Sequence, residues 1–92
     1  MQKSLRTPRQ QLLLSLLIEA RKAHGLSQAS VAAALGKPQS FVAKYETGER
    51  RIDVIEFVDI AAALGISTTE ILSEIELAGD LPDGGRRKSQ EM

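Results

Sequence analysis

Residues 27–46, SQASVAAALGKPQSFVAKYE, decide the fold. Ser27 is a good N-cap, and Gln28 to Leu35 is a short Ala-rich run with Val31, Ala32 and Leu35 on one helical face. Gly36 breaks that run, and Pro38 opens a second helix in which Val42 and Tyr45 lie three apart. Two short helices joined by a turn of a few residues containing Gly cannot lie side by side as a hairpin. They cross steeply, and the second presents its outer face to whatever lies beyond the domain.

That outer face carries Gln39, Ser40, Phe41 and Lys44. A bidentate amide, a hydroxyl, an apolar ring and a cation near a helix start are groups suited to base edges and phosphates in a DNA major groove.

Working outward, Thr7 with Pro8 predicts the start of a preceding helix, because a missing N–H costs nothing in the first turn. Leu12, Leu13, Leu14, Leu17, Ile18, Ala20 and Ala23 give it a broad apolar face, and Gly25 ends it, with His24 capping its carbonyl end. On the other side, Asp53 and Glu56 form a capping-box pattern for a fourth helix whose expected buried face is Ile55, Val58, Ala61, Ala62 and Leu64. Ser67 and Glu70 repeat the pattern for a fifth, with Ile71, Leu72 and Ile75 at helical spacing until Gly79. The expectation is an all-α, compact five-helix domain over residues 8–78. Residues 1–7 read as a flexible N-terminal arm, and the Gly-, Pro- and charge-rich residues 79–92 as a disordered tail whose Arg86-Arg87-Lys88 cluster is a solvated one.

Composition excludes much else. The 92 residues contain no Cys and a single His, so disulfides, thiolate chemistry and the usual Cys/His metal sites drop out, and no metal, cofactor or small-molecule ligand is expected. No apolar run reaches the roughly 18 residues of a membrane span, and a soluble, cytoplasmic protein is expected. One His, no Cys and no Gly-rich phosphate loop leave little from which to build an enzyme. The formal net charge is zero, yet residues 1–50 hold eight Lys/Arg against three Asp/Glu, and residues 51–92 four against nine. Such asymmetry can turn one face toward a polyanion and keep the other away from it.

Residues 25–67, GLSQASVAAALGKPQSFVAKYETGERRIDVIEFVDIAAALGIS, resemble the Cro/phage-repressor type, or XRE-like, helix-turn-helix family. Ser27-Gln28, the turn at Gly36, Gln39-Ser40, Tyr45-Glu46, Gly48 and Ala63-Leu64-Gly65 fall at the family's spacings. The resemblance implies a lambda-repressor-like domain that binds double-stranded DNA in a bacterial or phage setting. It implies base contacts from Gln39, Ser40 and Lys44, with Phe41 either on a thymine methyl or folded back over the loop at Gly48. It implies phosphate contacts from Gln28, Thr47, Arg50 and Arg51, and an ion pair between Arg21 and Glu46 that fixes the angle of the reading helix. A homodimer would form through the fifth helix, with Ile71, Ile75 and Leu77 as candidates, and would place two reading helices about 34 Å apart on a palindrome.

The function this implies is transcriptional regulation, as a repressor acting by occupancy. Two alternatives stay open: an antitoxin or restriction-system controller built on the same domain, with a possible protein partner, and a protein-interaction adaptor that does not bind DNA.

Overall fold

The computed structural model describes residues 7–78, in the order α1 (Pro8–Ala23), α2 (Gln28–Leu35), α3 (Gln39–Thr47), α4 (Val54–Leu64) and α5 (Thr68–Ala78). The described residues form five helices and no strand, as the hydrophobic periodicity predicts. The expectations for the arm before Thr7 and for the tail from Gly79 onward, with its Arg86-Arg87-Lys88 cluster, lie outside the described residues.

Local chemistry sets the boundaries. The Thr7 hydroxyl accepts from the Gln10 amide at 3.1 Å, with Pro8 in the first turn of α1. The Ser27 hydroxyl accepts from the Ser30 amide while the Ser30 hydroxyl accepts from the Ser27 amide, both at 3.0 Å, closing a reciprocal box at the start of α2. Asp53 and Glu56 do the same for α4, at 2.7 and 3.0 Å. Pro38 is the N-cap of α3 and offers no side-chain acceptor there. The turn between α2 and α3 is Gly36-Lys37-Pro38; Gly36 has φ 69°, the left-handed conformation that Gly adopts without penalty, and the Lys37 amide bonds back to the Ala32 carbonyl at 2.9 Å.

Leu14 and Leu17 of α1, Val31 and Ala32 of α2, Phe41, Val42 and Tyr45 of α3, Phe57, Ile60 and Leu64 of α4, and Ile71 of α5 form one core. Leu17, Val42, Tyr45 and Ile60 have no accessible surface. Every helix contributes, so α3 cannot change its angle without disturbing the other four.

Two expected faces are corrected. In α4 the buried side is Phe57, Ile60, Ala61 and Leu64, whereas Ile55, Val58 and Ala62 are exposed. The helix is apolar nearly all the way round, and the large Phe57 ring goes inward and sets the register. In α5, Ile71 is a core residue with 8% of its surface exposed and Ile75 packs against that core, which removes Ile71 from any surface available to a second subunit. Leu77 is 87% exposed.

Candidate nucleic-acid interface

Helical arithmetic divides α3 into two faces. Phe41, Val42 and Tyr45 point into the core, and Gln39, Ser40, Lys44 and Thr47 are exposed, with half-buried Ala43 between them. Ala43 is four residues from Gln39 and three from Ser40, so it belongs to the outward stripe. Sequence reading passed over it, although the 3.6-residue period was enough to find it. Its small side chain lets another molecule approach the helix closely.

Phe41 does not stand on the outer face. It is 8% exposed and meets Tyr45 edge-on, with ring centroids 5.6 Å apart at 75°. Its ring instead serves as a platform for two cations: Lys37 Nζ lies 5.2 Å from the centroid and the Arg50 guanidinium 4.8 Å. The ring therefore ties the segments before and after α3 to the helix. Lys37, just ahead of α3 and exposed, is a second residue the sequence reading missed.

The Arg21–Glu46 ion pair is present: Arg21 Nε donates to Glu46 Oε2 at 2.7 Å and Nη2 to Oε1 at 3.1 Å, with side chains 12% and 6% exposed. Arg21 Nη1 donates to the Leu26 carbonyl at 2.9 Å, so one guanidinium joins α1, the loop after it and α3. The hydrogen bonds to Glu46 raise the Arg21 pKa still further, so the guanidinium stays charged at any working pH. Shielded from water, it holds a direction more than it adds stability.

Gln28, expected to reach a phosphate, faces inward as well. Its Nε2 donates to Glu46 Oε1 at 2.9 Å, and its Oε1 accepts from Gln39 Nε2 at 3.3 Å. A continuous chain thus runs from Arg21 through Glu46 and Gln28 to Gln39. Arg50 is also engaged within the protein: Nη1 and Nη2 each meet a Glu56 oxygen at 2.9 Å, and Nη1 bonds the Arg51 carbonyl at 2.9 Å. This fork and the Asp53 amide hold the Glu56 carboxyl below its ordinary pKa. Thr47 donates its hydroxyl to the Lys44 carbonyl at 3.1 Å, leaving oxygen lone pairs free to accept. Arg51 is exposed beside the same loop.

The structure thus brings Gln39, Ser40, Lys44 and Thr47 onto one outward surface, with Gln28 behind Gln39 and Arg51 at its edge. It does not bring Ile71, Ile75 and Leu77 onto one exposed face.

The residues of this surface lie within 17–71, the stretch matched by a family model described as helix-turn-helix. The chain belongs to the helix-turn-helix family. This helix-turn-helix protein is 50% identical in sequence to an XRE-family like protein from Pseudomonas syringae pv. tomato, with a TM-score of 0.75 over 78% of this chain and 88% of that one. It is 35% identical over 51 residues to the control protein C.MunI of Mycoplasma sp, covering 55% of this chain and 69% of the relative. The clp gene regulator ClgR of C. glutamicum shares the fold, with a TM-score of 0.69 over 83% of this chain and 99% of that one, at 20% identity. This helix-turn-helix protein is a DNA-binding transcriptional regulator of the XRE-like kind.

Proposed function

We propose that the helix-turn-helix protein acts as a dimeric repressor of a palindromic operator, including one in its own upstream DNA, with α3 in the major groove. The observation that carries this reading is the outward stripe Gln39, Ser40, Ala43, Lys44 and Thr47 on a helix whose opposite face is locked into the core. Gln39 pairs with adenine, and Ser40 and Lys44 contact bases or phosphates beside it. Thr47, Arg51 and Lys37 meet the phosphate backbone, which fixes register without reading sequence. It acts by occupying DNA in the cytoplasm rather than by catalysis.

The second subunit has a surface to use. Val54, Ile55 and Val58 on α4 and Leu72 and Leu77 on α5 are large apolar side chains between 49% and 87% exposed. Burying them on a twofold axis supports the dimer better than the fifth-helix set of Ile71, Ile75 and Leu77, because Ile71 already belongs to the core.

DNase footprinting on the upstream DNA, with sedimentation of the free protein, tests this. Two protected half-sites one helical turn apart and a sedimenting dimer are expected; a monomer with one isolated half-site contradicts it.

The 35% identity to a control protein favours a second reading, that of a restriction-system controller with the same interface. A methyltransferase or nuclease gene beside this one decides between them.

A further inference from the structure

We propose that Phe41 is a positioning residue for the DNA backbone: its ring holds the Lys37 ammonium in place ahead of α3, so that Lys37 meets a phosphate already ordered. The inference rests on the reading of α3 as the DNA-reading helix and deepens it, since neither residue reads a base.

An unattached lysine is a poor grip. Its flexible four-carbon stem loses rotamer freedom when the ammonium is fixed on a phosphate, and that loss opposes binding. Lys37 has given up part of this freedom in the free protein. Its amide donates to the Ala32 carbonyl at 2.9 Å, and Pro38 behind it biases its backbone toward extended conformations. At the far end of the side chain, Nζ lies 5.2 Å from the Phe41 centroid, within the roughly 6 Å over which a ring face attracts a cation. The residue is thus held at both ends, its backbone by α2 and its ammonium by α3.

The neighbouring charges leave that ammonium available. Arg50 shares the ring at 4.8 Å from its centroid, and two cations on one ring repel each other. Glu56 relieves the repulsion by taking both Arg50 Nη atoms at 2.9 Å. Its carboxyl, held below the ordinary pKa by Arg50 and then by the Asp53 amide, feels the Lys37 charge as a weaker influence of the same sign. Among the described residues Lys37 makes no ion pair. A ring orders a cation without neutralising it, as a carboxylate would. Arg50 is therefore neutralised and Lys37 is only ordered, with its charge and its N–H donors left for an anionic ligand, the phosphates of double-stranded DNA. Phe41 itself, 8% exposed, has too little surface to meet a base.

Two measurements test this. In 13C–1H spectra of the free protein, the Lys37 ε-methylene should stand upfield of those of the exposed Lys22 and Lys44, as protons over a ring face do, and should join them in Phe41→Leu. A Lys37 ε-methylene indistinguishable from those two in the wild type would overturn the placement.

The second is a double-mutant cycle in DNA affinity, read by anisotropy on the upstream fragment and on a scrambled duplex. Phe41→Leu should weaken both duplexes equally, by about two- to fivefold, because a phosphate contact carries no sequence information. Lys37→Gln should weaken both by more and lower the salt slope by about one unit. In the double variant the two losses should not multiply, because Phe41 acts through Lys37. Phe41→Tyr, which restores a ring, should restore the affinity. Losses that multiply, or a Phe41→Leu loss confined to the upstream fragment, would show that the ring merely supports α3 and would overturn the proposal. Should Phe41→Leu not fold, Phe41→Met, a more adaptable core side chain, carries the cycle. A ring-shifted Lys37 in a wild type that binds neither duplex at low salt would instead refute α3 as a DNA-reading helix, and the phosphate role with it.

Discussion

The Arg50 guanidinium lies 4.8 Å from the centre of the Phe41 ring while gripping both oxygens of Glu56 at 2.9 Å. A side chain expected to hold a phosphate thus joins α3 to the start of α4. Replacing Arg50 by Ala is expected to lower Tm by a few degrees, as thermal unfolding followed by circular dichroism will show. Loss of DNA affinity should track that loss of fold rather than a flatter salt dependence. Lys44→Ala should leave Tm unchanged and reduce the salt slope by about one unit, the signature of one lost phosphate contact.

Glu56 makes stability sensitive to acid. Its pKa is held below the ordinary value of 4.5 by Arg50, and next by the Asp53 amide. The native state therefore binds a proton less readily than the unfolded chain. The stability it contributes is complete above pH 4.5 and declines as pH falls through the depressed pKa. Urea midpoints measured from pH 6 to pH 3 should fall less steeply for Glu56→Gln than for the wild type.

Tyr45 gives the opposite dependence. Its hydroxyl is buried with no hydrogen-bond partner among the described residues, and burial, aided by the Glu46 charge, pushes its pKa up to about 12 from 10.0. With the native value raised, stability is complete below pH 10 and is lost between pH 10 and 12. Tyr45→Phe removes an unsatisfied polar group, so it should stabilise the protein at pH 7 by about 1–2 kcal/mol and flatten the alkaline limb. A lower urea midpoint at pH 7 would show that the hydroxyl has a partner.

Ile71 and Val58 separate core from interface. Ile71→Ala should cost about 2–5 kcal/mol of stability through the cavity it leaves. Val58→Glu, on an exposed site, should leave the monomer folded and shift the sedimenting species from dimer to monomer. A folded, dimeric Val58→Glu protein would show that α4 is not the dimer surface.

Most of the fold was legible because caps and breakers are local. Thr7, Ser27 and Asp53 lie within three residues of the amides they cap, and Gly36 and Gly48 mark helix ends by themselves. The buried face of α4 was not legible, because Ile55, Val58 and Ala62 and the true set of Phe57, Ile60, Ala61 and Leu64 both satisfy a helical period. Only the packing of Phe57 against the other helices chooses between them. The site divides in the same way. Gln39, Ser40 and Lys44 follow from their place on α3, and Phe41 could have been set inward from its four-residue spacing to Tyr45. Gln28 could not be read as an inward link, because Glu46 lies 18 residues away and only the crossing of α2 and α3 brings the two together.

The central claim is that α3 reads sequence through Gln39. Fluorescence anisotropy of the wild type and of Gln39→Ala, against the native upstream fragment and a scrambled duplex at about 50 and 200 mM salt, tests it most directly. The wild type should prefer the native fragment at both salts. Gln39→Ala should lose about 1–3 kcal/mol on that fragment and nothing on the scrambled one. Equal losses on both duplexes would contradict base reading by Gln39, and no binding to either at low salt would contradict the DNA interface itself.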